Sequence, residues 1–140
     1  LKSNPYRAFT LFEYAGFLID KTGGYTAAEG MLKTALEYEP NYAAARHNLA
    51  LVYKAKGNPE GALKELNQVE FTLNSVIPRT DYETELLNFP DIHVLYFNKA
   101  LILNQLGKKD EACDYLKEAV HLNNNPEFIK KVPLICGKAR

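Results

Sequence analysis

The chain has 140 residues, 46% of them hydrophobic and 24% charged, and its 17 Lys and Arg are balanced by 17 Asp and Glu. That length fits one domain with a core of its own, and the zero net charge excludes a field that would gather nucleic acid or an anionic membrane. No apolar run reaches the roughly 18 residues of a spanning helix; the chain opens on Leu1 rather than Met, which points to a trimmed fragment, so the lack of a signal peptide carries no information.

Residues 6–21 place Phe9, Phe12, Ala15, Gly16 and Ile19 three or four positions apart, one face of a helix. Thr22, Gly23 and Gly24 stop it, because glycine accepts the left-handed conformation at a helix end. Thr26 followed by Glu29 reads as a capping box opening a second helix, with Ala28, Leu32, Ala35 and Leu36 on one face and an end before Pro40. A third helix is predicted over about 41–56, with Leu49, Ala50, Val52 and Tyr53 inward and Gly57 as stop. Asn58 then Pro59 is a cap followed by a proline at the first helical position. The fourth helix carries Ala62, Leu63, Leu66 and Val69 and runs on to about Leu73.

The regularity breaks between Phe71 and Asp91, which enclose Pro78 and Pro90; Thr80 and Glu83 form a second capping box, and a short extra helix is predicted over 80–88. Order returns with a helix over 92–106 stopped at Gly107 and a partner over 110–122. Asn125, Pro126 and Glu127 start a last helix to about Cys136, followed by a basic tail with Lys138 and Arg140.

The glycine stops at 23 and 57 lie 34 residues apart, and those at 57 and 107 lie 50 apart, the same period with an insertion. After each stop the same small–large–small series recurs: Ala28, Leu32, Ala35; then Ala62, Leu66, Val69; then Ala112, Leu116, Ala119. Seven positions before each stop lie Gly16, Ala50 and Ala100, and four before lie Ile19, Tyr53 and Leu103. This pattern resembles the tetratricopeptide repeat, a 34-residue helix pair with small residues at the helix contacts and large ones filling the hole opposite. The copies fall at about 9–42, 43–76 and 93–126, with an insertion at about 77–92 and residues 127–137 similar to the capping helix that often ends such arrays. The resemblance implies an all-α fold, an α-solenoid of antiparallel helix pairs in a right-handed superhelix, as a single domain over 1–140. Three positions depart from it: Arg46 for a large aromatic, Lys99 for Leu, and Asn124 for the closing Pro.

The resemblance also implies a concave surface lined by the first helix of each pair. The residues pointing there are Glu13, Tyr14, Phe17, Asp20 and Lys21; then Ala44, His47, Asn48, Leu51, Lys54 and Ala55; then Val94, Phe97, Asn98, Leu101, Asn104 and Gln105. Asn48 and Asn98 stand where the family often uses Asn on a peptide backbone, whose amides need both a donor and an acceptor. The clamp that grips acidic chaperone tails in some family members would fall on Glu13, Phe17, Asn48, Val94 and Asn98, and no cation is among them. The groove expected is apolar with polar edges and suits an extended or helical segment bearing apolar anchors.

Enzyme chemistry has no support: His47, His93 and His121 sit on different helices outside any metal-binding motif, and Ser3 and Ser75 lie in no nucleophile motif. No cofactor is expected. Lys130, Lys131, Lys138 and Arg140 lack interleaved aromatics and read as a solvated face rather than a nucleic-acid patch. Cys113 and Cys136 are either two small buried apolar residues or a disulfide pinning the last helix to the array, the second requiring a compartment outside the reducing cytosol. The run Asp110, Glu111, Ala112, Cys113 with a late Cys136 also resembles the last repeat of some bacterial cell-envelope members of the family. The expectation is therefore a non-catalytic interaction module, an adaptor, co-chaperone or assembly scaffold binding a protein or peptide. Its rivals are a self-associating structural module and a regulatory domain of a larger protein.

Overall fold

A computed structural model describes residues 2–89 and 91–137. Among these residues there are eight α-helices and no strand. They are α1 (Pro5–Thr22), α2 (Tyr25–Tyr38), α3 (Ala43–Ala55), α4 (Pro59–Ser75), α5 (Asp81–Leu86), α6 (Ile92–Gln105), α7 (Lys109–Leu122) and α8 (Pro126–Cys136). The protein is an all-α array of antiparallel helix pairs, and it divides into two compact units, Leu1–Phe89 and Pro90–Arg140. The division falls within the insertion between the second and third repeats. Lys138 and Arg140 of the basic tail lie outside the described residues.

In the first unit α1 pairs with α2 and α3 with α4, while α2 also packs on α3. Side chains no larger than methyl at Ala8, Ala15, Ala28, Ala35, Ala45, Ala50 and Ala62 are wholly or almost wholly buried, so the helix axes approach closely. Leu32, Val52, Leu66 and Val69 fill the space this leaves and are fully buried. Truncating Leu32 or Leu66 to Ala would cost about 2–5 kcal/mol, because a close-packed site relaxes only partly around the hole. The predicted stops Gly23, Gly57 and Gly107 have φ of 65°, 81° and 82°, a region in which a Cβ clashes with the backbone. Each turn is thus set by a glycine that lets one helix end and its partner reverse.

Three of the four caps expected from the sequence form, and Asn4 adds one that was not expected. Asn58 Oδ1 accepts from the Gly61 amide at 3.0 Å, Asn125 Oδ1 from that of Glu127 at 2.9 Å, and Thr80 Oγ1 from that of Glu83 at 3.0 Å. The Glu83 carboxylate reaches back to the Arg79 amide. Asn4 caps α1 in the same way, accepting from the Arg7 amide at 3.0 Å. The capping box expected at Thr26 does not form: Gly24 is the N-cap of α2 and provides no side-chain bond. Thr22 serves the turn instead, donating to the Leu18 carbonyl and accepting from the Gly24 amide. Glu29 is then free to pair with Lys33 at 2.7 Å and with Lys56 at 2.9 Å, tying α2 to the end of α3.

The insertion up to Phe89, α5 included, belongs to the first unit. Leu86 of α5 is buried in the same apolar cluster as Leu32, Leu36 and Tyr42, and Tyr82 packs against it. Burial, with the Glu39 carboxylate adding to it, holds the Tyr82 phenol well above its usual range.

In the second unit α6 pairs with α7, and α8 packs on α7. Ala100, Ile102, Ala112, Leu116 and Ala119 are fully buried, repeating the scheme of the first unit. Cys113 and Cys136 are joined by a disulfide across α7 and α8. Pro133 lies inside α8 without ending it.

Two departures from the family pattern act as polar tethers. Arg46 pairs with Glu65 of α4 at 2.8 Å and donates to the Pro40 carbonyl at 3.1 Å, bracing α3 against both neighbours in place of an aromatic. Lys99 is 3% exposed and donates to the Tyr115 hydroxyl of α7.

Candidate functional site

The first unit presents an open cleft of about 300 Å³ between α1 and α3, lined by Gly16, Ile19, Asp20, Tyr25, Asn48, Leu51, Val52 and Ala55. Gly16 is part of its wall, and a Cβ added there would meet nothing within 4 Å, so the cleft is open on that side. A residue without a side chain on α1 faces the Asn48 and Leu51 turn of α3, and the gap between them stays open. Ile19 and Val52 form an apolar floor, Leu51 is half-buried, and the Asn48 amide and Asp20 carboxylate are the polar groups able to fix an orientation. Lysine and arginine are absent from this lining.

The residues expected on the concave surface separate into groups. Asn48, Leu51, Asp20 and Ala55 come together in the cleft. Glu13, Tyr14 and Phe17 do not line it; they share a shallow depression of about 440 Å³ on α1 with Tyr6, Phe9 and Thr10. Tyr14 and Phe17 stack there with ring centroids 6.2 Å apart. Lys21 is exposed and Lys54 half-buried, and neither lines the cleft. The Glu13 carboxylate adds to burial in pushing the Tyr42 phenol up to about 12.

His47 is a correction. It is 6% exposed, its ring 5.0 Å from that of Phe89, so the insertion covers it and little of it is left for a ligand. Phe9 is a second correction, expected on the inward face of α1 but 55% exposed.

In the second unit α6 carries Val94, Phe97, Asn98, Leu101 and Asn104 half-buried and Gln105 exposed. Phe97 is stacked on Phe128 of α8 with centroids 4.2 Å apart, and His93 meets the same ring at 6.0 Å. Phe97 is therefore an anchor for the last helix as much as a surface residue. Sequence reasoning missed Gly16, Ile19 and Val52 as lining residues, because their spacing assigns them to the inward helix faces, and gave Tyr25 no role. It also missed Tyr6 and Thr10, whose spacing from Glu13 and Phe17 was the available signal.

Among the described residues no cluster of His, Cys, Asp and Glu is placed to hold a metal ion, and no helix is long and apolar enough to cross a membrane.

Comparison with known proteins bears on the fold. Family profiles described as tetratricopeptide repeat match residues 21–73 and 93–126, together more than half of the chain. No curated protein sequence matches it. The first TPR of Spaghetti (RPAP3) bound to the HSP90 peptide SRMEEVD is 18% identical, with 96% of this chain and 94% of that one covered at a TM-score of 0.75. The NMR structure of the first TPR domain of human RPAP3 is 19% identical, with 95% and 92% covered and a TM-score of 0.76. The N-terminal domain of stress-induced protein-1 from C. elegans is 16% identical, with 95% and 98% covered and a TM-score of 0.70. At such identities the likeness is one of fold. With glycine-stopped helix pairs, small–large–small helix contacts and two matched segments, the chain belongs to the tetratricopeptide repeat family.

Proposed function

We propose that this protein is a non-catalytic adaptor or assembly scaffold that holds an extended peptide segment, with the α1–α3 cleft as its principal pocket. The observation that carries this reading is the pairing of an apolar floor, Ile19, Leu51 and Val52, with one side-chain amide, Asn48, at the same opening. An extended peptide has unpaired backbone donors and acceptors, and a carboxamide supplies one of each while the floor takes an apolar side chain. Asn98, Leu101 and Gln105 on α6, with the exposed part of Phe97, form a second strip suited to the same class of ligand. Glu13, Tyr14, Phe17, Lys21 and Lys54, which complete the expected surface with the covered His47, have a lesser part, since none lines the cleft, and His47 is left out of it.

The similar RPAP3 structure holds the HSP90 peptide SRMEEVD. Transfer of that ligand to this chain is disfavoured by charge: the cleft offers Asp20 and no cation, so an acidic segment would meet repulsion where it needs a partner. The segment proposed is neutral or basic with an apolar anchor.

Panning a random peptide display library against the whole chain tests this. Enriched peptides should carry apolar anchors without acidic ends, and SRMEEVD should not bind. Leu51→Asp should weaken the enriched peptides at least tenfold, and Asn48→Ala about fivefold, the equivalent of one net hydrogen bond. Enriched peptides that bind both variants as well as the wild type would remove the cleft from the site.

A further inference from the structure

The outward face of α1 is unusually apolar for a helix surface. Tyr6 is 84% exposed, Phe9 55%, Tyr14 51% and Phe17 53%. Together with Thr10 and Glu13 they line one depression of about 440 Å³. The opposite side of the same helix buries Ala8 and Ala15, so the turn of the helix leaves this face unpartnered within its own unit.

The order of the residues along this face is symmetric. Tyr6 and Phe17, Phe9 and Tyr14, and Thr10 and Glu13 are three pairs that share one midpoint, between Leu11 and Phe12. A second helix of the same sequence, laid antiparallel across a two-fold axis at that midpoint, brings each aromatic against an aromatic. Tyr6 meets the partner's Phe17, and Phe9 meets the partner's Tyr14. Near the crossing Thr10 is small enough to leave room for the partner's Glu13. An isologous interface requires such self-complementarity, and a peptide ligand would not. We propose that this face of α1 is a homodimer interface, formed by antiparallel pairing of α1 with α1 of a second copy.

The size of the face sets the strength. Four aromatics of about 150–250 Å² each, a little over half of that exposed, remove roughly 1,000 Å² from water over the two copies. That falls just below the roughly 1,200–2,000 Å² of a stable specific interface, so the dimer is weak and concentration-dependent rather than obligate. One feature opposes it: the two Glu13 carboxylates lie close to the axis on either side and repel. None of these six residues lines the principal peptide cleft, although Glu13, Tyr14 and Phe17 also belong to the wider expected surface, so dimerisation and cleft binding can each fail alone.

Sedimentation velocity on the full chain over a wide concentration range reads the equilibrium directly. The wild type should pass from monomer to dimer, and Glu13→Gln, which removes the repulsion at an exposed position, should raise the dimer fraction at a given concentration. Tyr6→Lys and Phe17→Glu should each abolish the dimer. Mixing those two variants should restore a heterodimer, because the new lysine faces the new glutamate across the axis while the other ends keep their native aromatic pair. Circular dichroism checks that each variant is folded. A wild-type chain that stays monomeric throughout, or a Glu13→Gln variant that dimerises no better than wild type, overturns the proposal. So does an equimolar mixture no more dimeric than its components.

Discussion

The ammonium of Lys99 lies 2.8 Å from the hydroxyl of Tyr115 and 4.1 Å from the centroid of the same ring, joining α6 to α7 through a buried charge. The position is one that the repeat usually fills with Leu, and the side chain is only 3% exposed. A buried cation is tolerated only where its donors are engaged, and truncating it leaves both a hole and a polar group without its partner. Lys99→Ala should therefore lower the unfolding free energy by about 2–4 kcal/mol. Lys99→Leu, which fills the space with the family residue, should stay within about 1 kcal/mol of wild type, because well-packed apolar replacements of buried charges are often neutral. Urea denaturation of the two variants distinguishes a tether from a simple space-filler: equal losses would mean the ammonium itself is needed.

Arg46 and Glu65 make a comparable tether in the first unit, at 2.8 Å with side chains 20% and 14% exposed. Arg46→Ala strips Glu65 of its partner and the Pro40 carbonyl of its donor, and should cost about 1–3 kcal/mol. Arg46→Lys keeps the charge but loses the planar fork that reaches both acceptors, so an intermediate loss is expected. A double-mutant cycle with Glu65→Gln should return a coupling of about 1 kcal/mol, and a coupling near zero would show that the two side chains act separately.

Glu29 bears on the acid side of the pH dependence, and the buried phenol of Tyr42, with that of Tyr82 beside it, on the alkaline side. Hydrogen bonds from Lys33 and then Lys56 hold the Glu29 carboxyl below its usual range. A depressed acid contributes stability that is present above its unfolded value, ordinarily near 4.5, and lost as pH falls through the folded value. The loss belongs to the acid side and is small, about 0.2–1 kcal/mol, because the pair is close to solvent. Tyr42 does the reverse: burial raises its phenol from 10 to about 12, so its contribution is complete below pH 10 and lost as pH rises through 12. Thermal melts from pH 3 to pH 11 should show Glu29→Gln flattening the acid limb and Tyr42→Phe the alkaline one. A limb unchanged by its own substitution would assign that limb to other groups.

The disulfide between Cys113 and Cys136 closes a loop of 23 positions and ties α8 to α7. Its reduction should cost about 3 kcal/mol if the bond acts mainly on the entropy of the unfolded chain. Hydrogen exchange should rise in α7 and α8 on reduction while α1 to α4 stay protected, because the bond lies wholly within the second unit. Intact mass of protein isolated without reductant is the prior check: no change on reduction would remove the bond and this expectation with it.

The helix pairs, their glycine turns and most of their core were legible from the sequence, because those features depend on local chemistry. A positive φ at Gly23, Gly57 and Gly107 and the periodic Ala, Leu and Val series impose helix ends and buried faces whatever lies elsewhere. The family resemblance rested on the same residues, and it held. The candidate site was legible only in part. That Asn48 and Leu51 share a face of α3 follows from spacing, but the cleft beside them is completed by Gly16, Ile19 and Asp20 on another helix.

What only the tertiary structure decided was where surface and core exchange places. His47 stands on the expected groove face, yet Phe89 of the insertion covers it; Phe9 has the spacing of a core residue, yet is more than half exposed. The pairing of Cys113 with Cys136, and the partners that let Arg46 and Lys99 replace apolar residues, likewise depend on neighbours far along the chain. Local propensity and periodicity are encoded within a few turns of helix, so the sequence by itself determined the repeat. Burial and pairing are set by which distant segment fills the space above a side chain. For this protein the solenoid was therefore written in its repeats, and the division of its surface between cleft, covered face and open aromatic face was decided by the packing of α1, α3, α5 and α8.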